Sequence, residues 1–344
     1  MGVDAGAGAL TPRARDLDED DVRVRPGRGS RPRTRRRPAH EDAVEGFVAS
    51  VDRGRYGVLV GDRTVTAMQA RELGRRGVVV GDQVALAGDT SGEPGTLARV
   101  VRVAPRTTAL RRSADDTDPV ERVIVANADQ LVIVCALADP PPRLRLIDRF
   151  LVAAYDAGLE PMLCLTKADL AGPESILPVY APLGFRWVVL GRPLTDSMLA
   201  GLRHVLAGRI SVLVGHSGVG KSTLVNALIP DADRAVGAVS AVTGRGRHTS
   251  SSAVALALPG GGWVIDTPGL RSFGLGHMSP ERVVQAFADL AEGAEHCPPG
   301  CDHLGPECAL DDWVAAGGGP SLTARLDSLR RLLRSRDATD ADER

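Results

Sequence analysis

Lysine is nearly absent from these 344 residues: of 42 basic side chains, 40 are arginine, and only Lys167 and Lys221 are lysine. Aromatic residues are scarce too, at 3%. No apolar run approaches the ~18 residues of a membrane-spanning helix, and no early segment has the basic-then-apolar pattern of a signal peptide. A cytoplasmic location without a membrane partner is therefore expected. The formal net charge of −1 excludes little, because charge is distributed locally. Residues 13–37 carry ten arginines among Pro, Gly and Ser, ending in RPRTRRRP, with an acidic DLDEDD inside. Such a stretch cannot bury a core. Residues 1–41 are expected to form a disordered basic arm, either a solubilising tail or a polyanion-binding one.

Arginine can replace lysine wherever surface charge is all that is needed. It cannot replace the compact ammonium, on a slim stem, that a phosphate-binding loop requires. Lys221 stands in GHSGVGKS at 215–222, which satisfies G-x-x-x-x-G-K-[ST] between the strand-like RISVLVG and the helix-like KSTLVNALI. Gly215, Gly218 and Gly220 let backbone N–H groups converge on phosphates, and His216, Ser217, Val219 and Thr223 complete the segment. Lys221 is expected to reach the β- and γ-phosphates, and Ser222 to ligate Mg²⁺. Downstream, DTPG at 266–269 follows the apolar GWVI. Asp266 can hold Mg²⁺ through water, and the Gly269 N–H can meet the γ-phosphate.

The other lysine stands in LCLTKADL at 163–170, an apolar run ending in T-K-x-D. Guanine presents N1–H and N2–H₂ side by side, a donor pair that one carboxylate accepts and adenine does not offer. Asp169 would select guanine, and Lys167 would lay its methylene stem along the ring; Thr166 opens the motif. The base reader then precedes the phosphate loop and DTPG in the chain, the reverse of the usual order. Permutation is tolerated when the old termini lie close and the new break falls in an exposed loop.

Around these motifs the chain reads as three folded units. At 42–107, EGFVASV, YGVLV, RTVTA, DQVALAG and LARVVRVA are five short β-rich runs between Gly/Asp turns, as in an OB-type barrel. Its only aromatic residues are Phe47 and Tyr56, so charge and shape must carry most of any nucleic-acid binding. From 108 to 280 strands and helices alternate, an α/β domain with a largely parallel sheet. VIVANADQLVIVCAL contains a buried strand there, and AVALALPGGGWVIDTPG reads as a hairpin ending in the acidic loop. Residues 281–344 lack strand patterns and hold CPPGCDHLGPEC and the helical RLDSLRRLLRS, which is either a solvated face or a phosphate contact. Of five cysteines, Cys135 and Cys164 lie in buried-strand patterns, where cysteine is a small hydrophobe. Cys297, Cys301 and Cys308 cluster with His303 at C-x3-C-x-H-x4-C. Three thiolates and an imidazole suit one tetrahedral Zn²⁺ in a closed, structural site. His296 is the competing imidazole, and His303 has the better match.

A β-barrel followed by TKAD, GHSGVGKST, GRGRHT, DTPG and a Cys/His knuckle resembles the circularly permuted GTPases of small-ribosomal-subunit biogenesis, the ribosome small subunit-dependent GTPase A family. The resemblance spans roughly residues 43–335. It implies Mg²⁺-dependent GTP hydrolysis to GDP, stimulated by the small subunit and coupled to late maturation of that subunit and to release. It also implies binding of ribosomal RNA through the barrel and the zinc domain, by a chain taken as a monomer. The family's base reader commonly begins with Asn where Thr166 stands here. VVLGRPL occupies the place of the second base-side loop, and no residue there is singled out. Thr249 is the expected switch ligand of Mg²⁺ and the γ-phosphate, with Ser250 as alternate. Ras-like enzymes place a water-orienting glutamine after the DTPG-type loop; Leu270 cannot serve, and His248 is the candidate catalytic residue. Two other readings stay open. One is an RNA-binding assembly factor whose nucleotide site is a sensor with negligible turnover. The other is an ATP-using enzyme, against which Asp169 argues.

Overall fold

The computed structural model describes residues 40–74, 77–112, 122–229, 253–267, 280–317 and 320–337. The motif GRGRHT, with His248, Thr249 and Ser250, lies outside them, as do Gly269 and Leu270.

The five β-rich runs near the start form β1 (Val44–Asp52), β2 (Arg55–Val60), β3 (Arg63–Gln69), β4 (Gln83–Gly88) and β5 (Ala98–Val103). They pair in the order β1-β2-β3-β5-β4, and β4 returns to pair with β1, closing a barrel. Val48, Tyr56, Val58, Val65, Leu86 and Val100 fill its interior. Tyr56 is thus a core residue, and Phe47 packs 5.0 Å from Trp263, so neither of the segment's two aromatic rings is free to stack on a base.

Past a short hairpin of β6 (Ala109–Arg112) and β7 (Arg122–Ala126), the second unit begins. The run expected to hold one buried strand holds two: the backbone turns at Asn127 (φ 55°) before β8 (Gln130–Ala136). Asn127 accepts from the Thr107 N–H at 2.9 Å and donates to the Gly81 carbonyl at 2.9 Å, and those contacts settle a left-handed conformation that Asn tolerates. The chain continues through α1 (Leu144–Ala157), β9 (Glu160–Thr166), α2 (Leu177–Tyr180), β10 (Arg186–Val189), α3 (Asp196–Leu206), β11 (Ile210–Val214), α4 (Lys221–Leu228), β12 (Val254–Ala257) and β13 (Trp263–Asp266). β10, β9, β8, β11 and β13 are neighbours in that order and parallel, and β12 adds antiparallel to β13.

Alternation along these strands explains why both faces are covered. In β8, Leu131, Ile133 and Cys135 point to a core shared with α1, while Val132, Val134 and Ala136 point to a core shared with α3 and α4. A strand buried on both faces must be apolar throughout, hence the continuous LVIVCAL. Burial raises the Cys135 thiol to about 11 and the Cys164 thiol to about 12, so both stay protonated as packing groups.

Helices α5 (Pro280–Gln285), α6 (Ala288–Ala294), α7 (Ala309–Gly317) and α8 (Pro320–Asp337) complete the described chain. Leu329, Leu332 and Leu333 of α8 join the core beside α1. Its arginines, left open between solvent and phosphate, are largely committed inside the protein. Arg325 pairs with Asp289 at 2.6 Å, Arg330 with Asp311 at 2.6 Å, and Arg331 with the buried Asp148 of α1 at 3.1 Å.

Barrel and α/β unit are joined covalently and laterally. Ser50 of β1 pairs with Val254 of β12, which merges the two sheets. At a second joint the Ala126 N–H donates to the Val80 carbonyl at 2.9 Å. The next residue must be Gly81: its φ is 92°, and a Cβ there would lie 1.9 Å from the Ala126 carbonyl oxygen. Beside it, Asp82 is wholly buried and takes two hydrogen bonds, 2.7 and 2.8 Å, from Arg106. Removing the partner of a buried charge is costly, so Arg106→Ala should destabilise the protein by about 3 kcal/mol in chemical denaturation. A change below about 0.5 kcal/mol, the range of ordinary surface substitutions, would mean that this pair does not hold the joint.

Candidate functional site

Ligands of a parallel α/β sheet bind beyond the carboxyl ends of its strands. There the segments after β9 and β11 and the end of β13 come together, and each carries residues singled out in the sequence. The segment after β11 starts at Gly215, where φ is 150° and a Cβ would stand 2.3 Å from the Val134 carbonyl oxygen. Only a glycine lets the loop cross β8 so closely. Gly218 (φ 81°) and Gly220 (φ 98°) turn it into α4, which begins at Lys221. The Lys221 ammonium donates to the carbonyls of Gly215 and His216, the latter at 2.9 Å, folding back over its own loop. His216 Nδ1 lies 2.8 Å from the Ser217 carbonyl, Val219 is buried in the core below, and Ser222 and Thr223 are exposed at the start of α4.

Asp266 ends β13 opposite Leu213 of β11, and the next residue, Thr267, is buried and donates to the Leu213 carbonyl at 3.0 Å. Burial raises the Asp266 carboxyl above its ordinary range, against the pull of the Lys221 charge and the Thr267 N–H. Burial likewise lowers Lys221, and Asp266 opposes that shift. The half-buried Asp266 carboxylate is a hard oxygen donor of the kind that suits a cation such as Mg²⁺.

The TKAD corner is held from both sides. The Thr166 hydroxyl donates to the Val219 carbonyl at 2.6 Å, with the Cys135 carbonyl also near at 3.4 Å. This bond ties the base-side corner to the phosphate loop. Lys167 adopts φ 58° and its ammonium donates to the Asp139 carbonyl. Asp169 is exposed, and its Oδ1 accepts the Arg192 N–H at 2.8 Å, which orients the carboxylate. Thr166, Lys167, Val219, Gly220 and Thr223 line one cleft together with Leu190, Gly191, Arg192 and Leu194. No residue of that last stretch is singled out in the sequence, since VVLGRPL carries no distinctive motif. Gly191 lies beside Asp169, where a Cβ would stand 3.5 Å from the Asp169 nitrogen, an ordinary contact.

Cys297, Cys301, His303 and Cys308 form a separate cluster whose donor atoms all lie within 4.8 Å of one another and could hold a metal ion. His303 takes φ 61°, its N–H donates to Cys301 Sγ at 3.3 Å, and its Nδ1 lies 3.6 Å from Cys297 Sγ. Arg330 grips the His303 carbonyl at 3.1 Å while its guanidinium pairs with Asp311, so α8 supports the knuckle from behind. The competing imidazole of His296 instead stacks on Trp313, with ring centroids 5.6 Å apart.

The G-x-x-x-x-G-K-S loop and the TKAD motif stand on one sheet edge, with TKAD earlier in the chain, the arrangement of a circularly permuted P-loop GTPase. Residues 103–276 match the family model described as RsgA GTPase. The small ribosomal subunit biogenesis GTPase RsgA of Pseudomonas aeruginosa is 41% identical over 249 residues, covering 70% of this chain and 72% of that protein. The protein of the same name from Streptomyces coelicolor is 38% identical over 306 residues, covering 86% of this chain and 81% of its own length. The chain belongs to the RsgA GTPase family. Two solved structures share its fold at 24% identity. YjeQ from Thermotoga maritima has a TM-score of 0.62 over 86% of this chain and 99% of its own. YloQ, a circularly permuted GTPase, has a TM-score of 0.61 over 90% and 99%.

The Thr166 tether yields a test. Thr166→Val keeps the shape, removes the donor and leaves a buried carbonyl short of its partner, so GDP should bind about tenfold more weakly in equilibrium titration. Thr166→Ser, which keeps the hydroxyl, should stay close to wild type. Equal affinities for all three proteins would remove the tether from the account.

Proposed function

We propose that this chain is a GTPase of small ribosomal subunit biogenesis, as its relatives are named, and that the subunit stimulates its turnover. The observation that carries the reading is the Thr166–Val219 hydrogen bond, which makes the base reader and the phosphate loop two walls of one cleft. Asp169 accepts the guanine N1–H and N2–H₂ donors, and Lys167 lies along the ring. The amides of 215–220 and the Lys221 ammonium take the phosphates, which requires Lys221 to exchange its carbonyl partners for phosphate oxygens. Ser222 and Asp266, with Thr249, are the residues that would hold Mg²⁺, whose charge neutralises the β- and γ-phosphate oxygens. The Gly269 N–H meets the γ-phosphate. His248 orients the attacking water once the subunit orders its loop, so intrinsic hydrolysis is slow and docking accelerates it. Hydrolysis then relaxes the switch segments and frees the protein at a late maturation step.

Support for zinc in the C-terminal cluster comes from its dimensions. Zn–S bonds of 2.3 Å and Zn–N bonds near 2.0 Å set tetrahedral edges of about 3.8 Å between sulfurs and about 3.6 Å between sulfur and nitrogen. Cys297 and Cys308 sulfurs stand 3.8 Å apart, and His303 Nδ1 stands 3.6 and 3.8 Å from them. Bound zinc acts structurally, bracing the loop that α8 supports, with no open position for chemistry. The barrel at 42–107 and the unit at 281–344 contact ribosomal RNA, with the basic arm at 1–41 as an accessory. The protein works in the cytoplasm as a monomer. A second reading, a nucleotide sensor with negligible turnover, draws on Leu270, which stands where Ras-like enzymes carry the water-orienting glutamine.

Phosphate release measured with GTP or ATP, with and without purified small subunits, separates the two readings. Stimulation confined to GTP and lost in His248→Ala is expected. Stimulation that survives the substitution discards His248 but keeps the partner, whereas GTP binding with no stimulated release selects the sensor. Cys301→Ser should lower the zinc content from one per chain and loosen the C-terminal helices. Full zinc retention by elemental analysis would remove Cys301 from the ligand set.

A further inference from the structure

We infer that the guanidinium of Arg192 reads the O6/N7 edge of guanine, as a second determinant of base choice opposite Asp169. The inference rests on the cleft at 166–169 being the guanine site. With Asp169 accepting from N1–H and N2–H₂, the base still presents two adjacent acceptors, O6 and N7, which need donors.

Most donors lining the cleft are already engaged. Thr166 has a single proton, given to the Val219 carbonyl at 2.6 Å, and its other polar neighbour is also a carbonyl. The Lys167 ammonium donates to the Asp139 carbonyl, and the Arg192 N–H donates to Asp169 Oδ1 at 2.8 Å. The Arg192 side chain is different. It is exposed, it belongs to a residue lining the cleft, and among the described residues its guanidinium has no hydrogen bond or ion pair. Its backbone N–H is fixed to Asp169, so the Arg192 side chain leaves the chain beside the base-reading carboxylate. A guanidinium carries parallel N–H donors at the spacing of O6 and N7, the commonest specific contact made to guanine. Adenine would set its N6–H₂ donor against the same cation. The cleft would then reject adenine twice, at Asp169 and at Arg192.

Equilibrium binding of GDP, 7-deaza-GDP (which lacks the N7 acceptor) and ADP to wild type, Arg192→Ala, Arg192→Lys and Asp169→Asn tests this. Wild type should bind 7-deaza-GDP about tenfold more weakly than GDP. Arg192→Ala should bind both guanine nucleotides with one reduced affinity, and Arg192→Lys, with a single-point donor, should fall between. Asp169→Asn should lose part of its preference for GDP over ADP and retain the 7-deaza discrimination. Arg192 is exposed, so an unchanged melting temperature is expected and separates recognition from folding. Full 7-deaza discrimination in Arg192→Ala would assign the edge to the main chain, where the Gly191 N–H is the alternative, and would overturn the inference while leaving the guanine site intact. Wild type that bound 7-deaza-GDP as tightly as GDP would overturn it too. Wild type that bound ADP as tightly as GDP would overturn the guanine site and the inference together.

Discussion

A hydrogen bond of 2.6 Å between the Thr166 hydroxyl and the Val219 carbonyl holds together two segments that the chain presents in the unusual order. Both segments are loops leaving parallel strands, β9 and β11, with β8 between them, so their ends emerge on the same edge of the sheet. The bond converts proximity into a defined cleft: it fixes the height of Val219 beside the base-side corner, and with it the approach of the phosphate loop to Thr166. Glycine makes the approach possible, since Gly215 crosses β8 where a Cβ would stand 2.3 Å from the Val134 carbonyl oxygen. Chain order is irrelevant to such a site, because its geometry is set by register in the sheet.

Chain order matters instead for what is attached to the site. The base-side corner continues into α2 and the turn at Pro182 and Leu183, whose carbonyls accept Arg325 at 3.2 Å. Arg325 also lies over the Phe287 ring, 5.3 Å from its centroid, and pairs with Asp289 of α6. The Tyr180 hydroxyl lies 2.9 Å from Asp148, which pairs with Arg331, whose guanidinium sits 5.0 Å from the Tyr180 ring. Burial raises the Asp148 carboxyl despite Arg331 and Tyr180, a sign of how far this cluster is withdrawn from water. The C-terminal helices, and through Arg330 the Cys/His knuckle, are therefore packed directly against the segment that follows the base reader.

Much of the cleft could be read from the sequence because its chemistry demands particular side chains. The two lysines marked both nucleotide motifs, since arginine had replaced lysine everywhere else, and the cysteine spacing marked the metal cluster. Continuous apolar runs in LVIVCAL and EPMLCLT placed the buried strands, and the five β-rich runs became the five barrel strands. What escaped lies in a loop without a motif or depends on distant partners. The 190–194 stretch reaches the cleft through a loop whose sequence, VVLGRPL, carries no distinctive pattern. The partners of Arg325, Arg330 and Arg331 lie up to 183 residues away, so a basic helix could not be told from a solvated one. The turn at Asn127 likewise depends on Thr107 and Gly81, outside any local window.

The most direct test of the central claim, that two segments in reversed order form one nucleotide site, is a structure of the protein with GDP and Mg²⁺ bound. The account places the guanine edge on Asp169, the diphosphate on the amides of 215–220, and the Lys221 ammonium on phosphate oxygens in place of the Gly215 and His216 carbonyls. A diphosphate held by the loop with the base directed away from Thr166, Lys167 and Asp169 would contradict it.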